Sequence, residues 1–278
     1  GPAGMSAAIE ASKYGCDVTL IDKYNELGGH LRWNRPYKIK GIHEDDTLVT
    51  TDLSSKLIAE IKSNESIHLL NDGFVFGAYE DNLLGIKQND CFIKLRSKSV
   101  VVATGAHQIP PVFQNNDLPG IMLCSAVEKL IRLYGVKPGS KAVVFGSSDL
   151  IYQTALDLID SNVQVMAIVD ERKEVHNLEL LREIQKGHTK TYFGSKIVKS
   201  NGSNHVTGCV ISAVDSDENL VQIDCDLLAV NDGMQTNFGL LQQSGFQIEY
   251  NSEMNQFLPG NEVESVYYTG RASGSLNL

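Results

Sequence analysis

The sequence predicts an α/β fold of two domains, the second inserted into the first, together with a small antiparallel β-meander. Three observations predict it. The chain has 278 residues, a length that suits about two domains. Two segments share one order of elements: a glycine turn, a helix and a strand that ends in aspartate. Between them lie short strand-like runs separated by polar turns.

The first of the two segments opens the sequence. A glycine turn spans Gly1–Gly4, a helix is predicted over Met5–Tyr14, and the strand-like run CDVTLI ends at Asp22. Turn, helix and strand in this order form a βαβ unit once a strand stands before the turn. We therefore expect a parallel sheet whose first strand precedes residue 1.

The meander is predicted from two runs, FVFGAY and CFIKLR, which we expect to pair with each other. The run SVVVATGA follows as a buried strand that ends in a small-residue turn. A capping box at Ser125 and Glu128 then predicts a helix that extends to about Tyr134.

The second segment repeats the pattern. The strand KAVVF precedes a turn at Gly146, a helix is predicted over Leu150–Asp160, and the strand VQVMAIV ends at Asp170. A weaker helix near Leu178–Lys186 and the strand-like run DLLAV complete the inserted domain. We expect the first domain to comprise residues 1–116 and 229–278, and the inserted domain to comprise residues 117–228.

Composition and charge exclude several classes of function. A net charge of -10 and a pI near 5.2 argue against a nucleic-acid partner. No run approaches the roughly 20 apolar residues of a membrane helix, and no basic leader is present, so we expect no membrane association.

The five cysteines include no C-x-x-C pair, which disfavours a dithiol centre and a zinc site and favours a reduced, cytoplasmic setting. Cys16, Cys91 and Cys225 lie in or beside strand-like runs and are expected to be buried.

The opening Gly1-Pro2-Ala3-Gly4 fits the last two glycines of the G-x-G-x-x-G pattern. Gly1 would let the backbone approach a pyrophosphate, and Gly4 would let the helix pack on the sheet. Asp22, 21 residues after Gly1, stands where a carboxylate accepts hydrogen bonds from an adenosine ribose. A carboxylate there repels a 2′-phosphate, which favours NAD or FAD over NADP.

Three further small-residue turns follow strands: Gly28-Gly29-His30-Leu31, Thr104-Gly105-Ala106 and Gly270–Gly274. Each is a place for a close backbone approach to the same ligand. Both domains are therefore predicted to be Rossmann-like, of the kind that binds FAD or NAD(P).

The residues also carry a resemblance. The runs GPAGMSAAIEA and FVFGAYEDN, and above all ATGAHQIPPVFQNNDLPGIMLCSAV, resemble the α subunits of heterotetrameric sarcosine oxidases. These lie within the glutathione- and thioredoxin-reductase-like superfamily of flavoproteins with two dinucleotide domains. The similarity covers essentially the whole chain. The α-type subunits of proline dehydrogenases, opine oxidases and hydrogen cyanide synthase look similar but share less of the longest stretch.

The resemblance implies that the first site holds a noncovalent NAD, with FAD as the alternative. It also implies an FAD and the amine site on a partner subunit, and a covalent FMN at the interface between subunits. Carried over to this sequence, the contacts fall on Ala3, Asp22, Lys23, His30, Val75 and the turn at Gly270–Ser275. The family's α subunit has further N-terminal and folate-binding C-terminal parts, so we expect this sequence to be a fragment or a shortened relative.

Two departures qualify the resemblance. Arg271 stands where flavin-holding relatives usually carry an aspartate, which favours a nicotinamide or adenine nucleotide over FAD unless Arg271 points to solvent. The turn at Gly146 keeps one glycine of three. Ser148, Asp149 and Ile151 would hinder a pyrophosphate there, so we expect a vestigial second site with Asp170 as a strand-end carboxylate.

No nucleophile, base and acid occur at a spacing that assigns catalytic residues, and no metal ligands are predicted. His30 is a ligand candidate, whereas His107 is expected to be structural. Trp33 with Tyr37 could stack on an adenine, but a packing or subunit-facing role is favoured. The predicted cofactor-binding residues are Gly1, Ala3, Gly4, Asp22, Lys23, Gly29, His30, Leu31, Val75, Thr104, Gly105, Gly270, Arg271, Ala272 and Ser275.

Three hypotheses remain open at this point. The chain is the NAD-binding part of an amine-oxidising flavoenzyme whose substrate is oxidised on a partner subunit, so that the isolated chain is inactive. Alternatively, it is a self-standing FAD-dependent NAD(P)H oxidoreductase that lacks the C-x-x-C pair. The third hypothesis is a non-catalytic scaffold that a bound nucleotide stabilises.

Overall fold

The computed structural model describes residues 1–40, 47–174, 178–187, 189–216 and 218–275. The chain divides into two compact units. Unit 1 comprises Gly1–Arg32, Pro36–His107 and Gln235–Leu278, and unit 2 comprises Trp33–Arg35 and Gln108–Met234. Each unit has the α/β composition that the sequence predicts.

The helices are α1 (Pro2–Lys13), α2 (Thr50–Ser63), α3 (Cys124–Arg132), α4 (Leu150–Asp160), α5 (Leu178–Gln185) and α6 (Gly239–Gln243). The strands of unit 1 are β1 (Val18–Ile21), β2 (Lys38–Lys40), β3 (Thr47–Val49), β4 (Ile67–Leu70), β5 (Gly73–Tyr79), β6 (Leu83–Gln88), β7 (Cys91–Arg96), β8 (Val100–Val102), β19 (Ile248–Asn251), β20 (Gln256–Pro259) and β21 (Val266–Tyr268). The strands of unit 2 are β10 (Ile121–Leu123), β11 (Lys141–Gly146), β12 (Gln164–Asp170), β13 (Lys190–Phe193), β14 (Ser195–Gly202), β15 (Val206–Ala213), β16 (Val221–Asp224) and β17 (Leu227–Asn231). The remaining elements are β9 (Ala106–Gln108), β18 (Met234–Thr236) and 3-10 turns at Gly29–Arg32 and Gly270–Ser273.

Unit 2 is built on a five-stranded parallel sheet in the order β10-β17-β11-β12-β13. Strand β11 is apolar at every position after Lys141, and its alternate residues enter different cores. Ala142 and Val144 pack with helices α3, α4 and α5, whereas Val143 and Phe145 pack with the antiparallel sheet β14-β15-β16. A parallel sheet covered on both faces accounts for the continuous apolar run in the sequence.

Unit 1 contains two parallel strand pairs, β1-β4 and β8-β21, and helix α1 contacts strands of both. Met5, Ala8 and Ile9 are buried on one face of α1, at the i, i+3, i+4 spacing of an amphipathic helix. The two pairs matter for the site because strands that run parallel end at the same edge.

The meander of unit 1 has three strands, in the order β5-β6-β7. The prediction that FVFGAY and CFIKLR pair with each other is therefore wrong, because β6 lies between them. Leu84, Gly85 and Ile86 of β6 are buried in succession, so β6 lacks the alternation that marks a half-exposed strand.

The chain passes from unit 1 to unit 2 within β9 and returns within β18, and these two strands pair with each other. The crossings thus lie at residues 107/108 and 234/235, before and after the boundaries predicted from the sequence. The short segment Trp33–Arg35 also groups with unit 2, where Arg35 Nη1 donates to Asp157 Oδ1 at 3.1 Å.

The predicted capping box at α3 does not form. The helix begins at Cys124 without a side-chain cap. The Ser125 N–H donates to Gln108 Oε1 at 2.8 Å, and the buried Glu128 carboxylate accepts a hydrogen bond from Thr154 Oγ1 at 2.7 Å. Tertiary partners on other elements therefore take both groups that the local motif would have paired.

Two predictions about cysteines are also wrong. Cys16, two residues before β1, and Cys91, the first residue of β7, are exposed because each lies at the end of a strand, whereas Cys225 is buried as expected. Among the described residues, no helix is both long enough and apolar enough to span a bilayer.

Candidate functional site

The site in unit 1 begins at the N-terminus of helix α1. Gly1 is the N-cap residue, no side chain caps the helix, and its first turn contains no acidic residue. The first backbone hydrogen bond of the helix runs from Met5 N to Gly1 O at 3.0 Å, so the amides of Ala3 and Gly4 precede it. An uncapped helix N-terminus directs N–H groups and the positive end of the helix dipole at an anion.

The second glycine turn packs against the first. Gly29 has a left-handed φ of 57°, and a Cβ atom on it would lie 2.6 Å from the Cα atom of Gly1. Gly28 also has a positive φ, of 122°. Only glycine allows both this backbone conformation and this approach.

The third glycine turn reaches the same place from the other end of the sequence. Gly270 has a φ of 66°, and a Cβ atom on it would lie 2.5 Å from the Cβ atom of Ala3. A Cβ atom on Gly4 would lie 3.1 Å from Cβ of Ala103, just after β8. The structure therefore brings three of the predicted turns together at the N-terminus of α1.

Asp22 follows β1 at the edge of this cluster. Its Oδ2 atom lies 3.6 Å from the nitrogen of Gly1, and its Oδ1 atom accepts a hydrogen bond from the Tyr24 N–H at 3.0 Å. The side chain is 13% exposed, so the carboxylate is held between the turn and the following loop. The neighbouring Lys23 is exposed, and its ammonium group lies 5.2 Å from the centre of the Tyr24 ring.

Arg271 and His30 join two of the turns. The Arg271 Nη1 atom lies 3.1 Å from Nδ1 of His30. Arg271 is partly buried and does not simply point to solvent. Burial raises the pKa of the nearby Tyr37 hydroxyl, and the positive charge of Arg271 opposes that rise.

The other predicted residues occupy different environments. The side chains of Leu31 and Ala272 are buried, which leaves only their backbone atoms for a ligand. Val75 lies in β5 opposite Ile86 and packs against the core of the meander. Ser275 is exposed just after the third turn.

Thr104 and Gly105 belong to the fourth predicted turn, which contacts a residue that no sequence motif marks. Asn237 forms hydrogen bonds with Thr104, Gly105 and His107. Its only sequence signal is its place directly after β18, where the chain has just returned to unit 1.

The corresponding turn of unit 2 packs against the end of a neighbouring strand. A Cβ atom on Gly146 would overlap the carbonyl oxygen of Asn231, so this glycine serves the packing of β11 on the end of β17. Ser147 Oγ lies 3.3 Å from Asp232 Oδ1, and Ser148 Oγ accepts a hydrogen bond from Asn231 Nδ2 at 2.9 Å.

Asp170 is fully buried and its carboxylate is already paired. Tyr152 donates to Asp170 Oδ2 at 2.8 Å, and Arg172 donates to both carboxylate oxygens at 3.0 and 2.8 Å. Arg172 also binds Asp149 at 2.8 Å, so the negative charge of Asp149 is compensated. Burial alone would lower the pKa of Arg172, but its hydrogen bonds to Asp170 and Asp149 raise it.

Two more carboxyl groups lie beside the Gly146 turn. Burial raises the pKa of Glu171, and the negative charges of Asp232 and Asp170 raise it further. Burial also raises the pKa of Asp232, and the hydrogen bond from Ser147 partly offsets this rise. This concentration of acidic groups disfavours a bound pyrophosphate in unit 2.

Trp33 packs against protein, as the sequence favours, and is not placed to stack on an adenine. Trp33 is 3% exposed and lies within unit 2, where the Lys129 ammonium group is 4.4 Å from the centre of its ring. Within the part of the chain that the structure describes, no three His, Cys, Asp or Glu residues cluster in a way that could hold a metal ion.

Comparison with known proteins gives consistent results. The family model described as "Pyridine nucleotide-disulphide oxidoreductase" matches residues 1–276. The chain is 29% identical over 300 residues to the α subunit of sarcosine oxidase from Corynebacterium sp. (strain U-96), a match that covers 100% of this chain and 30% of that protein. It is 23% identical over 306 residues to an opine oxidase subunit from Agrobacterium tumefaciens (strain Ach5), covering 99% of this chain and 60% of the relative. The chain thus spans less than two thirds of the length of either relative.

Among solved structures, the thioredoxin reductase of Lactococcus lactis superposes with a TM-score of 0.76 at 17% identity, covering 100% of this chain and 88% of that one. At this identity the likeness shows the fold alone. The predicted fold class and the predicted resemblance to sarcosine oxidase α subunits are confirmed.

Proposed function

Because the chain belongs to the pyridine nucleotide-disulphide oxidoreductase family, we propose that unit 1 binds NAD noncovalently as part of an amine-oxidising, multi-subunit flavoenzyme. One observation carries the proposal. Gly29 and Gly270, from turns far apart in sequence, pack on Gly1 and Ala3 at an uncapped helix N-terminus. Backbone N–H groups at such a place bind a pyrophosphate without help from a cluster of basic side chains. A chain with a net charge of -10 has no overall positive charge to attract phosphate, so local N–H groups have to hold it.

The choice of nucleotide rests on Asp22 and Arg271. Asp22 places a carboxylate beside the turn, so it suits a free ribose 2′-hydroxyl and repels the 2′-phosphate of NADP. Arg271 puts a cation, held by His30, on the third turn. A cation there favours NAD over FAD, the alternative ligand of this site.

The geometry of unit 2 disfavours a self-standing reductase. Such an enzyme would bind a nicotinamide nucleotide at Gly146 and pass its hydride to FAD in unit 1. The carbonyl of Asn231 lies against Gly146, and Asp170 is committed to Tyr152 and Arg172. We therefore assign no nucleotide to unit 2.

Substrate oxidation is proposed to take place on a partner subunit that holds FMN or FAD, at or near the subunit interface. The relatives are named as subunits, which supports a partner for this chain. The chemistry that a flavin supplies is the acceptance of a hydride from the carbon beside an amine nitrogen. The part of this chain is to bind and orient its nucleotide through the backbone of the three turns.

The experiment has two arms. Calorimetric titration of the 278-residue chain with NAD, NADP and FAD is expected to show binding of NAD and weaker binding of both NADP and FAD. Mass spectrometry of small molecules released on denaturation identifies what the chain retains from its host. Binding of FAD in preference to NAD would contradict the nucleotide assignment, and hydrogen peroxide production from sarcosine by the chain alone with added FAD would contradict the role of a partner.

A further inference from the structure

His107 is held by one neighbour in a defined way. Its Nδ1 atom lies 2.8 Å from Oδ1 of Asn237. The orientation of the Asn237 amide is fixed by a second contact, because its Nδ2 atom donates to the carbonyl oxygen of Thr104 at 3.0 Å. An amide oxygen can only accept, so Nδ1 of His107 carries the proton. In the neutral ring the other nitrogen, Nε2, is then a hydrogen-bond acceptor.

Asn237 is itself fastened by its backbone. Its N–H donates to Gly105 O at 3.0 Å, and its carbonyl oxygen accepts a hydrogen bond from Thr104 Oγ1 at 3.0 Å. With the two side-chain contacts, four hydrogen bonds join Asn237 to residues 104–107. Four hydrogen bonds are more than an exposed turn requires, and they fix the orientation of the imidazole ring of His107.

The pair lies at the edge of unit 1 that carries the glycine turns. Strands β8 and β21 run parallel with Val102 opposite Tyr268, so the turns at Thr104 and Gly270 leave the same edge. Thr236, next to Asn237, donates from Oγ1 to the carbonyl oxygen of Arg271 at 3.2 Å. His107 is exposed, and no atom lies within 4 Å of the Cβ position of Gly105, so this face of the turn is open.

We propose that His107 and Asn237 form a binding subsite in which Nε2 of His107 accepts a hydrogen bond from an uncharged donor group of the bound nucleotide. His107 is the binding residue and Asn237 is the positioning residue. The donor is a ribose hydroxyl or the carboxamide of a nicotinamide, two groups with the same hydrogen-bonding chemistry. The inference rests on the proposed function for the identity of the ligand, but not for the state of the imidazole.

The state of the imidazole can be measured without ligand. Long-range proton–nitrogen correlation spectra of the ¹⁵N-labelled chain distinguish the two tautomers, and loss of one signal set in His107→Asn assigns His107 among the seven histidines. We expect the Nδ1–H pattern in the wild type and a shift towards Nε2–H in Asn237→Ala. An Nε2–H pattern in the wild type would overturn the inference.

The ligand contact is tested by two substitutions of His107. A glutamine amide reaches the position of Nε2, whereas an asparagine amide reaches only that of Nδ1. We therefore expect His107→Gln to retain most of the NAD affinity and His107→Asn and Asn237→Ala to lose about three- to tenfold, the effect of one neutral hydrogen bond. Wild-type affinity in His107→Asn and Asn237→Ala would overturn the subsite while leaving the proposed function intact.

Titrations with ADP-ribose and AMP separate the two donors. A loss seen with NAD but not with ADP-ribose assigns the carboxamide. A loss seen with NAD and ADP-ribose but not with AMP assigns a hydroxyl of the second ribose, and a loss seen with all three assigns a hydroxyl of the adenosine ribose. If the wild type binds no nucleotide, the proposed function fails and the assignment of this subsite to a nucleotide fails with it. The tautomer measurement still reports whether Asn237 positions His107.

Discussion

Arg271 Nη1 and His30 Nδ1 lie 3.1 Å apart and join two glycine turns that are separated by 241 positions in the sequence. A guanidinium group has only donors, so Nδ1 of His30 is the acceptor and its proton lies on Nε2. His30 and His107 therefore present opposite Nε2 chemistry at one edge of unit 1: the first donates and the second accepts.

Replacing Arg271 tests the first of these arrangements. Arg271→Met removes the hydrogen bond to His30 and the positive charge on the third turn. We expect NAD affinity to fall by about 1–3 kcal/mol, the range for a hydrogen bond to a charged group, while the fold persists. Calorimetric titration measures the change, and Arg96→Met, an exposed arginine on the meander, is the control. Equal losses in both variants would contradict the role of Arg271.

Asp22→Asn tests the ribose contact. The substitution keeps the size of the side chain and removes its charge, so NAD should bind more weakly by about 1–3 kcal/mol and the preference for NAD over NADP should narrow. The matched control is Asp17→Asn, an exposed aspartate whose partner is His68 at 2.8 Å. Unchanged affinities for both nucleotides would remove Asp22 from the site.

A comparison of Gly29→Ala with Gly135→Ala separates the effect of backbone strain from the effect of crowding between the glycine turns. Both glycines have left-handed φ values, of 57° and 62°, so each substitution costs about 1–2 kcal/mol of folding free energy. A Cβ atom on Gly135 meets nothing within 4 Å, whereas one on Gly29 presses on Gly1. We expect both variants to lower the melting temperature and only Gly29→Ala to abolish NAD binding. Binding by Gly29→Ala at wild-type affinity would argue against the turn cluster as the site.

Tyr152→Phe tests whether NAD binding is independent of the stability of unit 2. It removes the donor to Asp170 Oδ2 and leaves one contact of a buried carboxylate unmade. We expect a loss of about 1.5–3 kcal/mol in the free energy of unfolding, measured by urea titration, with NAD affinity unchanged. Tyr134→Phe, at an exposed tyrosine, is the control. A parallel loss of NAD affinity would show that unit 2 contributes to binding.

Glu171 predicts a dependence of stability on pH. Burial and the charges of Asp232 and Asp170 raise its pKa above the ordinary value of 4.5, so the folded chain binds the proton more tightly than the unfolded chain does. The stabilisation is complete below pH 4.5 and is lost as the pH rises through the raised pKa of the folded state. Glu171→Gln should therefore gain stability relative to the wild type as the pH rises above 4.5, and Glu174→Gln, at an exposed site, should not. A flat difference between wild type and Glu171→Gln in urea titrations across this range would contradict the expectation.

The sequence predicted the features that depend on local pattern. The helix at Met5–Tyr14, the apolar strand KAVVF and the glycines at positions 29 and 270 were predicted because helix-forming residues, continuous apolar runs and tight turns restrict the choice of residue. It missed β6, where three residues in succession are buried and the strand period disappears.

The features that depend on distant partners were not predictable from one sequence. Nothing near Glu128 in the sequence indicates that Thr154 will donate a hydrogen bond to its carboxylate. Likewise, nothing near His107 indicates a hydrogen bond with Asn237, 130 positions away. Gly146 resembles a degraded ligand turn in sequence, yet its small size is required by the carbonyl of Asn231. A glycine can be required either by a bound ligand or by close packing against a neighbouring strand. Only the three-dimensional structure distinguishes these two causes.

The pairing of β8 with β21 also has a consequence for synthesis on the ribosome. Among the described residues, the partner strand of Val100–Val102 is Val266–Tyr268, which is made late, whereas Gln108–Met234 is complete well before that point. Unit 2 can therefore fold while the nascent polypeptide still lacks the last strand of unit 1, and the strand β8 stays unpaired in the interval. An unpaired apolar strand is prone to wrong pairing and aggregation, so we expect a newly made chain to be most vulnerable while residues 108–265 are being translated.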